Sequence, residues 1–366
     1  MARKLKSDRA LFFMALLLVA VSVVMVYSAS AVWAADRFRQ PQLFLVKQGM
    51  WAALGIALLR LVMKVDYRNY RQPAVIWTIV AITTLGLIAV FFSPPIKGSH
   101  RWLGLGIMGV QPSEFAKLAV ILFAAAVLER RMNRIDEPTY ALGPIGALLV
   151  LFTGLILLEP DLGTSLALLL IVTIMIFTAG LGYRYLAGLA LCTIPIACSL
   201  VVGASYRRRR ILAFLNPWGD PQGSGYHVIQ SLIAVATGGV TGKGFMASEQ
   251  KLLYLPEPHT DFLYAVVSEE FGLIGATVIV ICFCVIAWRG MSVALRAPDS
   301  FGAFLAVGLT TMFVLQALVN ISVVLGLMPT KGIPLPFLSA GGSSLLVSLL
   351  GMGILLNVSQ HASASG

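Results

Sequence analysis

Long apolar runs separated by short polar segments make up most of the chain. The runs show no strict alternation of apolar and polar residues, which favours α-helices over the strands of a membrane barrel. Compared with the roughly 20 residues that cross a bilayer, they predict an all-α polytopic membrane protein with about ten transmembrane helices. It forms a single integral membrane domain, residues 1–366. The predicted spans are 11–32, 43–63, 74–92, 112–128, 141–158, 163–181, 186–204, 267–288, 302–327 and 343–358.

Composition supports this assignment, because 58% of the residues are hydrophobic and only 12% are charged. Soluble domains carry about 25% charged residues. The net charge is +11, and the basic residues are scattered among short loops. That distribution indicates membrane topology and attraction to anionic lipid headgroups, and it argues against a nucleic-acid partner.

The distribution of basic residues also predicts the orientation. An even number of spans places both termini on one side, and we predict the cytoplasmic side. The short loops there hold most of the arginines, including Arg130, Arg131 and Arg134, as the positive-inside rule requires. A large extracytoplasmic loop, about 205–266, then lies between helices 7 and 8. A cleavable signal peptide is the alternative for the first run, since residues 29–31 resemble a cleavage site. The length of the run and the spans after it favour a retained helix.

Ionisable residues are concentrated where this large loop meets the next apolar run. The group comprises Glu257, His259, Asp261, Glu269 and Glu270. Ionisable groups at the mouth of a membrane helix are candidates for a functional site. The alternative is structural, with Thr260 as the helix N-cap and Asp261 as a first-turn carboxylate favoured by the helix dipole.

Charged residues interrupt the apolar pattern at two earlier places. Glu114 and Lys117 are three residues apart and share a helix face. They either neutralise each other in a salt bridge or take part in function. Glu159 and Asp161 lie between the fifth and sixth spans, where a simple polar turn is the alternative. The predicted topology puts all four at the same depth as Asp261, and we hypothesise one shared cavity.

Cationic residues mark two outer segments. Arg207 to Arg210 follow the seventh span, and they either anchor the chain to lipid phosphates or clamp a phosphorylated headgroup, since guanidinium groups suit phosphate. Lys331 is the sole charge of a loop rich in proline and glycine, residues 327–344, which we expect to line a cavity. Between them, residues 226–236 predict an interfacial helix. Residues 238–244 predict a flexible turn that lacks the spacing of a nucleotide-binding P-loop.

Several motifs occur together over nearly the whole chain. They are Val24-Met-Val-Tyr-Ser-Ala-Ser30, His100-Arg-Trp102, Gln111-Pro-Ser-Glu114 with Lys117, Glu159-Pro-Asp-Leu-Gly-Thr164, Arg209-Arg210 with Phe214-Leu-Asn-Pro-Trp218, Gly225-Tyr-His-Val-Ile-Gln-Ser231, Gln250-Lys-Leu-Leu-Tyr-Leu-Pro-Glu257 with His259-Thr-Asp-Phe262, Pro329-Thr-Lys-Gly332 and Gly341-Gly-Ser-Ser344. In these motifs the chain resembles the SEDS family of bacterial cell-wall polymerases. The first motif and Pro-Thr-Lys-Gly favour its division branch over the elongation and sporulation branches, although Ile333-Pro334 is similar to the elongation branch. Ala340 stands where many members carry tyrosine.

The resemblance implies the SEDS fold, with ten helices and both termini on the cytoplasmic side of the inner membrane. It implies a peptidoglycan glycosyltransferase that polymerises lipid II, the lipid-linked disaccharide-pentapeptide, at the outer membrane face of the division septum. The implied partners are lipid II, the growing undecaprenyl-linked glycan, membrane lipids, a class B penicillin-binding transpeptidase and other division proteins. The family's essential carboxylate falls on Asp261.

We therefore expect Asp261 to act as the general base that takes the proton of the acceptor's 4-hydroxyl. One displacement at the donor's anomeric carbon would invert the α-linkage, so no second nucleophilic carboxylate is required. The leaving pyrophosphate needs cationic groups, and a divalent cation such as magnesium or manganese can join them. The expected substrate-binding residues are Arg101, Glu114, Lys117, Asp161, Arg207, Arg208, Arg209, Arg210, Lys243, Glu257, His259, Lys331, Ser339 and Ser343.

Three alternatives stay open at this point. One is an elongation-type polymerase of the same family. Another is a transporter that flips lipid II, in which Glu114 and Lys117 would suit the transport path. A flippase, however, needs no carboxylate cluster outside the membrane. The last is a scaffold that only recruits a transpeptidase, and it does not need the charge of Asp261.

Overall fold

The computed structural model of the chain describes residues 7–362 except 96–98, 106–107, 135–136 and 253. Within these ranges the chain forms twelve α-helices, four 3-10 helices and one antiparallel pair of strands. The α-helices are α1 (Arg9–Phe38), α2 (Leu43–Val62), α3 (Pro73–Ala89), α4 (Pro112–Arg131), α5 (Pro138–Leu158), α6 (Leu162–Thr178), α7 (Tyr183–Val202), α8 (Ser205–Leu215), α9 (Tyr226–Gly238), α10 (Leu263–Leu295), α11 (Ser300–Val324) and α12 (Gly342–Ala362). The 3-10 helices are Tyr67–Arg71, Val90–Phe92, Met132–Arg134 and Pro217–Gly219, and the strands are β1 (Leu103–Leu105) and β2 (Met108–Val110).

The long helices coincide with the apolar runs. Of the α-helices in the described ranges, ten occupy the ten predicted spans, and the other two, α8 and α9, lie in the large loop. In the same ranges, seven helical segments are long and apolar enough to cross a membrane: α1, α2, α3 with the turn that follows it, α7, α10, α11 and α12. Shorter apolar segments lie in α5 and α6. The prediction of an all-α polytopic membrane protein is confirmed, and the count of ten spans stays a prediction.

Helix α4 is enclosed by protein. It packs against α3, α5, α6 and α11, and its charged residues Glu114 and Lys117 are both buried. These two charges, with Glu129, Arg130 and Arg131 at the other end, lower the hydropathy of α4. A charged helix of this kind is stable in a membrane only when its neighbours shield it from lipid.

Close helix packing brings the centre of the bundle together. A β-carbon on Gly308 in α11 would lie 2.7 Å from Ile121 of α4 and 2.8 Å from the sulfur of Met175 in α6. Small residues at such crossings are typical of membrane helices, where they let the backbones approach. The loops that extend from α4, α6 and α11 consequently start close to one another.

The connecting segments gather at two ends of the bundle. At one end, Tyr67 donates a hydrogen bond to Asp299 (2.5 Å), and Arg289 forms an ion pair with Asp8 (2.6 Å). Contacts at the other end join the segments that contain Arg101, Pro160, Arg210, Asp261 and Gly332. The segments predicted to be cytoplasmic and those predicted to be outside therefore separate into two groups.

The first helix is an integral part of the bundle. Ala29, Ser30 and Ala31 are buried in α1, which packs against α2 and α10. Cleavage there would remove most of a core helix, which supports the retained helix over the signal peptide.

Helix α10 differs from the predicted span 267–288. It begins at Leu263 and is interrupted at Gly272, whose backbone is non-helical (φ 62°, ψ −159°). Residues 238–244 fill the break: the amide of Leu273 donates to the carbonyl of Gly239 (2.9 Å), and the amide of Lys243 donates to the carbonyl of Glu269 (3.0 Å). The turn predicted at 238–244 is present, and the interrupted helix supplies backbone partners for it.

Candidate active site

Asp261 lies in the turn that enters α10. The N-cap of α10 is Phe262, which makes no side-chain capping hydrogen bond. The hydroxyl of Thr260 lies 3.3 Å from the carbonyl oxygen of Glu257. The capping alternative for Thr260 and Asp261 is therefore wrong, because the helix starts two residues after Asp261.

The carboxyl group of Asp261 lies against the loop that joins α11 to α12. A β-carbon on Gly332 would stand 2.9 Å from Oδ2 of Asp261. Asn320 of α11 joins the same two segments, since its Nδ2 donates to the carbonyl oxygens of Asp261 (2.9 Å) and Ile333 (2.8 Å). Asp261 is partly exposed and Gly332 is exposed, so the carboxylate lies at an accessible edge of the bundle.

Behind this edge, the buried charges of α4 face a small cavity. Nζ of Lys117 lies 2.8 Å from Oε1 of Glu114, so the salt bridge foreseen as one alternative is present. The cavity has a volume of about 20 Å³, and Gly332 and Ile333 form one of its walls. That space suits about one water molecule. Glu114 and Lys117 line this cavity, but Glu159, Asp161 and Asp261 are not among its lining residues, and it is too small for a sugar. One cavity shared by all five residues therefore stays a hypothesis.

The turn between α5 and α6 forms the next part of the site. Nε of Arg101 donates to the carbonyl of Glu159 (2.9 Å), and Nη2 donates to that of Pro160 (2.7 Å). Asp161 caps α6, because its carboxylate accepts hydrogen bonds from the amide (3.2 Å) and the hydroxyl (2.9 Å) of Thr164. Arg101 and Asp161, both expected to bind substrate, thus also hold the turn in shape.

Glu159 is buried, and neither of its carboxylate oxygens has a hydrogen-bond partner. Burial raises its pKa from 4.5 to about 8. The nearby charge of Asp161 adds to this shift, and Arg101 opposes it. Glu159 therefore keeps its proton to a higher pH than an exposed glutamate does.

Two of the four consecutive arginines belong to this cluster. Nη1 of Arg210 donates to the carbonyl of Thr330 (3.3 Å), and Arg207 lies over the ring of Tyr206 (5.6 Å). The hydroxyl of Tyr206 in turn donates to the carbonyl of Pro160 (3.3 Å). Helix α8 is thereby joined to the α5–α6 turn and to the α11–α12 loop.

Lys331 lies among these groups. Burial lowers its pKa, Asp161 opposes that shift, and the charges of Arg207 and Arg210 lower the pKa further. The cations Arg207, Arg210 and Lys331 are therefore close enough to repel one another. A site that crowds cations in this way favours a multivalent anion such as pyrophosphate.

The remaining two arginines lie on other faces of α8 than Arg207 and Arg210, because successive side chains on a helix are about 100° apart. Arg208 is exposed on α8. Arg209 lines a separate surface cavity of about 400 Å³ together with Asp220. A helix cannot direct four consecutive side chains to one face, which explains why the run divides.

Other residues expected to bind substrate have structural contacts. Lys243 forms ion pairs with Glu269 (3.0 Å) and Glu249 (3.3 Å). The ring of His259 packs on Phe44 (4.8 Å) and Trp33 (5.7 Å). The structure thus places Lys243 in the packing of the large loop against α10, and His259 in an aromatic cluster with α1 and α2.

The two serines also lie in packed surroundings. The hydroxyl of Ser339 accepts a hydrogen bond from the amide of Leu335 (2.9 Å) and so shapes the α11–α12 loop. Ser343 is buried in the first turn of α12.

Glu257, another residue expected to bind substrate, has a backbone φ of 53°, in the region that favours glycine. It lies near His227.

Glu269 and Glu270, which the sequence groups with Asp261, have their hydrogen-bond partners elsewhere. Glu269 accepts hydrogen bonds from Ser248 (2.5 Å) and Lys243 (3.0 Å). Glu270 accepts them from Lys251 (2.8 Å) and Ser28 (2.6 Å). These partners lie in the large loop and in α1, so both glutamates connect α10 to its neighbours.

Three residues of the site were not predicted as such. Tyr206 directly precedes the arginine run. Asn320 is an amide inside an apolar span, and such amides often form hydrogen bonds between membrane helices.

The third residue, His227, stacks on Phe262 (5.9 Å). Burial and the charge of Arg210 lower the pKa of His227, while Glu257 raises it. No local pattern in the sequence joins His227 to Asp261.

The predicted divalent cation would need ligands near Asp261. Within the described residues, no group of three or more His, Cys, Asp or Glu side chains is placed to hold a metal ion. The charged groups of the neighbouring cluster, Arg207, Arg210 and Lys331, are cationic and bind anions, not metal ions. A divalent cation therefore stays a prediction, and phosphate oxygens of the substrate would have to supply most of its ligands.

Comparison with known proteins gives extensive matches. A family model described as "cell cycle protein", for FtsW, RodA and SpoVE, matches residues 8–364. The chain is 44% identical over 356 residues to the probable peptidoglycan glycosyltransferase FtsW of Geobacter metallireducens, covering 96% of this chain and 94% of that protein. It is 42% identical over 363 residues to stage V sporulation protein E of Bacillus subtilis, covering 98% and 99%.

Solved structures show the same fold. The chain matches one chain of a peptidoglycan synthase complex that coordinates polymerization and crosslinking, with a TM-score of 0.79, 30% identity, and coverage of 97% and 98%. It also matches the rod shape determining protein RodA of Thermus thermophilus, with a TM-score of 0.69, 27% identity, and coverage of 96% of both chains.

Proposed function

Because the chain belongs to the cell cycle protein family of FtsW, RodA and SpoVE, we propose that it is a peptidoglycan glycosyltransferase that polymerises lipid II during septal wall synthesis. Relatives named as FtsW support the division role. The observation that carries the site assignment is the partly exposed carboxylate of Asp261 beside Gly332, in the loop that also holds Lys331. An elongation-type polymerase is the alternative within the family.

Asp261 is the general base of this reaction. It accepts the proton of the acceptor's 4-hydroxyl while that oxygen forms a bond to the donor's anomeric carbon. The bond to the lipid pyrophosphate breaks, and the pyrophosphate leaves with the electron pair. A single displacement converts the α-linked donor to a β-glycosidic bond. General-base assistance of this kind contributes about 10²–10⁴-fold to the rate.

Arg207, Arg210 and Lys331 stabilise the leaving pyrophosphate. Their mutual repulsion is relieved when the anion binds, so they favour the charge that develops in the transition state. A divalent cation held by phosphate oxygens would supply further positive charge. Lys117 lies deeper, paired with Glu114, and supports the wall of the site below Gly332.

The partner is a class B penicillin-binding transpeptidase. The similarity to a chain of a synthase complex that joins polymerization to crosslinking supports this. Lipid II, the undecaprenyl-linked glycan and membrane lipids are the other partners, and further division proteins recruit the complex to the septum. The protein lies in the inner membrane, with both termini cytoplasmic and Asp261 on the outer side.

Polymerisation by the purified protein tests this function. Wild-type protein and Asp261→Asn are incubated with lipid II, and glycan chains are separated by gel electrophoresis. We expect glycan from wild type and none from Asp261→Asn. The control is Asp220→Asn, an exposed aspartate of the same loop, which should polymerise normally. Normal polymerisation by Asp261→Asn contradicts the general-base role.

The other classes of function give different results. A flippase moves lipid II between leaflets of a vesicle and makes no glycan, with either variant. A scaffold supports cell growth when Asp261 is replaced by Asn. Complementation of a depleted strain by Asp261→Asn, with its transpeptidase partner present, therefore separates the scaffold from the polymerase.

A further inference from the structure

Asn320 connects the turn of Asp261 to the loop of Gly332. It lies on α11 with only 2% of its side chain surface exposed. Both hydrogen atoms of its amide nitrogen have acceptors, the carbonyl oxygens of Asp261 (2.9 Å) and Ile333 (2.8 Å). A carbonyl can only accept, so a residue at this position must donate twice to join the two segments.

Gly332 limits where the carboxylate of Asp261 can lie. The three atoms nearest to a β-carbon placed on Gly332 all belong to the carboxyl group of Asp261: Oδ2 at 2.9 Å, Cγ at 3.6 Å and Oδ1 at 3.7 Å. The backbone of Gly332 has no positive φ. A β-carbon at this position would therefore displace the carboxyl group of Asp261, whereas the conformation of the loop itself does not demand glycine.

We infer that Asn320 and Gly332 are positioning residues that hold the general base in its working geometry. Asn320 fixes the backbone of Asp261 relative to Ile333, and Gly332 leaves the space that the carboxylate occupies. This inference rests on the proposed function, because it assumes that Asp261 removes the proton. Neither residue needs to touch the substrate.

An ordinary structural role for Asn320 is the alternative, and the chain contains a matched example. Asn357 of α12 is also buried, donates to the carbonyl of Met63 (2.8 Å) and accepts from the amide of Tyr67 (2.9 Å). It lies at the opposite end of the bundle from Asp261. Replacing either asparagine removes one buried and one partly buried hydrogen bond, but only the replacement of Asn320 releases the general base.

Gly332→Ala is the first test, because it adds one methyl group directed at the carboxylate. Its control is Gly341→Ala in the same loop, where a β-carbon would make an ordinary contact of 3.5 Å with Ser344. We expect Gly332→Ala to lower kcat roughly tenfold or more, since small displacements of a catalytic group are costly. KM for lipid II and the unfolding temperature should stay close to those of Gly341→Ala. Equal kcat for the two variants overturns the role of Gly332.

Asn320→Leu and Asn320→Asp form the second test. Leucine removes both donors at a similar volume, and aspartate keeps the shape but brings acceptors against two carbonyls. We expect kcat to fall roughly 10- to 100-fold in both, with little change in KM. Asn357→Leu should lose as much thermal stability as Asn320→Leu and keep a near wild-type kcat. If kcat follows thermal stability in the same way for both positions, Asn320 is structural.

A double variant separates this inference from the proposed function. If Asn320 acts through Asp261, Asn320→Leu lowers the rate in wild type and adds no further loss to the residual rate of Asp261→Asn. If Asn320→Leu lowers the rate of Asp261→Asn by the same factor as it lowers the wild-type rate, the positioning role of Asn320 is overturned and the role of Asp261 as general base stands. Full activity of Asp261→Asn alone contradicts the proposed function instead. Gly332→Ala provides the same comparison if Asn320→Leu does not fold.

Discussion

The ammonium group of Lys117 and the carboxylate of Glu114 lie 2.8 Å apart, and each side chain has less than 5% of its surface exposed. Two charges in the interior of a membrane bundle stabilise it only as a pair, because each is costly to bury alone. The pair also lines the small cavity that Gly332 borders. A change in the pair can therefore affect both the stability of α4 and the wall of the active site.

Replacing one partner should therefore destabilise the protein strongly. We expect Lys117→Met to lower the free energy of unfolding by about 3–5 kcal/mol, since Glu114 then stays buried without its cation. The double variant Glu114→Gln/Lys117→Met should regain most of that loss, as measured by thermal unfolding in detergent. A double variant that is stable and polymerises lipid II contradicts any direct role of Lys117 in binding.

The division of the arginine run predicts unequal effects on substrate binding. Arg208 and Arg210 are both exposed on α8, but Arg210 also donates a hydrogen bond to the α11–α12 loop. We expect Arg210→Ala to raise KM for lipid II roughly tenfold, the size of one charge-assisted hydrogen bond. Arg208→Ala should change it less than twofold. Equal effects, measured as initial rates against lipid II concentration, would instead favour attachment of the whole helix to lipid phosphates.

The pKa of Glu159 predicts how stability depends on pH. Burial raises this pKa from 4.5 to about 8, so between these values the folded protein holds a proton that the unfolded chain has lost. The stabilisation is complete below the lower value and is lost as the pH rises through the upper one. The free energy of unfolding should fall by up to about 1.4 kcal/mol per pH unit in this window.

Glu159→Gln tests this dependence, because glutamine keeps the shape and does not titrate. The variant should be more stable than wild type above pH 8, and its unfolding temperature should vary less between pH 5 and 8. Glu137→Gln, at the exposed start of α5, should behave as wild type. An unchanged pH profile for Glu159→Gln would show that Glu159 is already ionised in the folded protein.

The glycines opposite the break in α10 predict a graded loss of stability. Gly242 and Gly244 both have positive φ, at 82° and 105°. A β-carbon on Gly242 would lie 2.2 Å from the carbonyl oxygen of Glu270, whereas one on Gly244 would meet nothing within 4 Å. Gly244→Ala should cost about 1–2 kcal/mol from backbone strain alone.

Gly242→Ala should cost clearly more than Gly244→Ala, because backbone atoms must also move apart. We expect faster hydrogen exchange at the amides of Lys243 and Leu273, which bridge the break. Thermal unfolding in detergent and hydrogen exchange by mass spectrometry measure both effects. Equal costs for the two substitutions would mean that residues 238–244 do not pack against α10 in the membrane.

Several features were predictable because they depend on neighbours in the chain. Hydropathy over a helix length identified the apolar runs that α1 to α7 and α10 to α12 occupy. The motifs around Glu114, Asp161 and Asp261 identified the family that the comparisons show. The helix at 226–236 was also found, since its turn residues and apolar pattern are local.

Other features were not predictable, because they depend on contacts between distant segments. The break at Gly272 was missed, since its freed backbone groups are paired by residues 239–244 and not by the helix itself. Glu269 and Glu270 are close to Asp261 in the chain, yet their partners lie in the large loop and in α1. Proximity in sequence therefore overstated the carboxylate cluster.

The sequence by itself determined that this is a helical membrane protein, which family it belongs to, and that Asp261 is the residue to examine. Hydrophobicity and short motifs suffice for this, because each acts over a few turns of one helix or one loop. Only the tertiary structure decided which charges accompany Asp261. Contacts between distant segments bring Asn320 and Gly332 to Asp261, and Arg210 of α8 to the loop that holds Gly332. No periodicity within one segment encodes such a meeting.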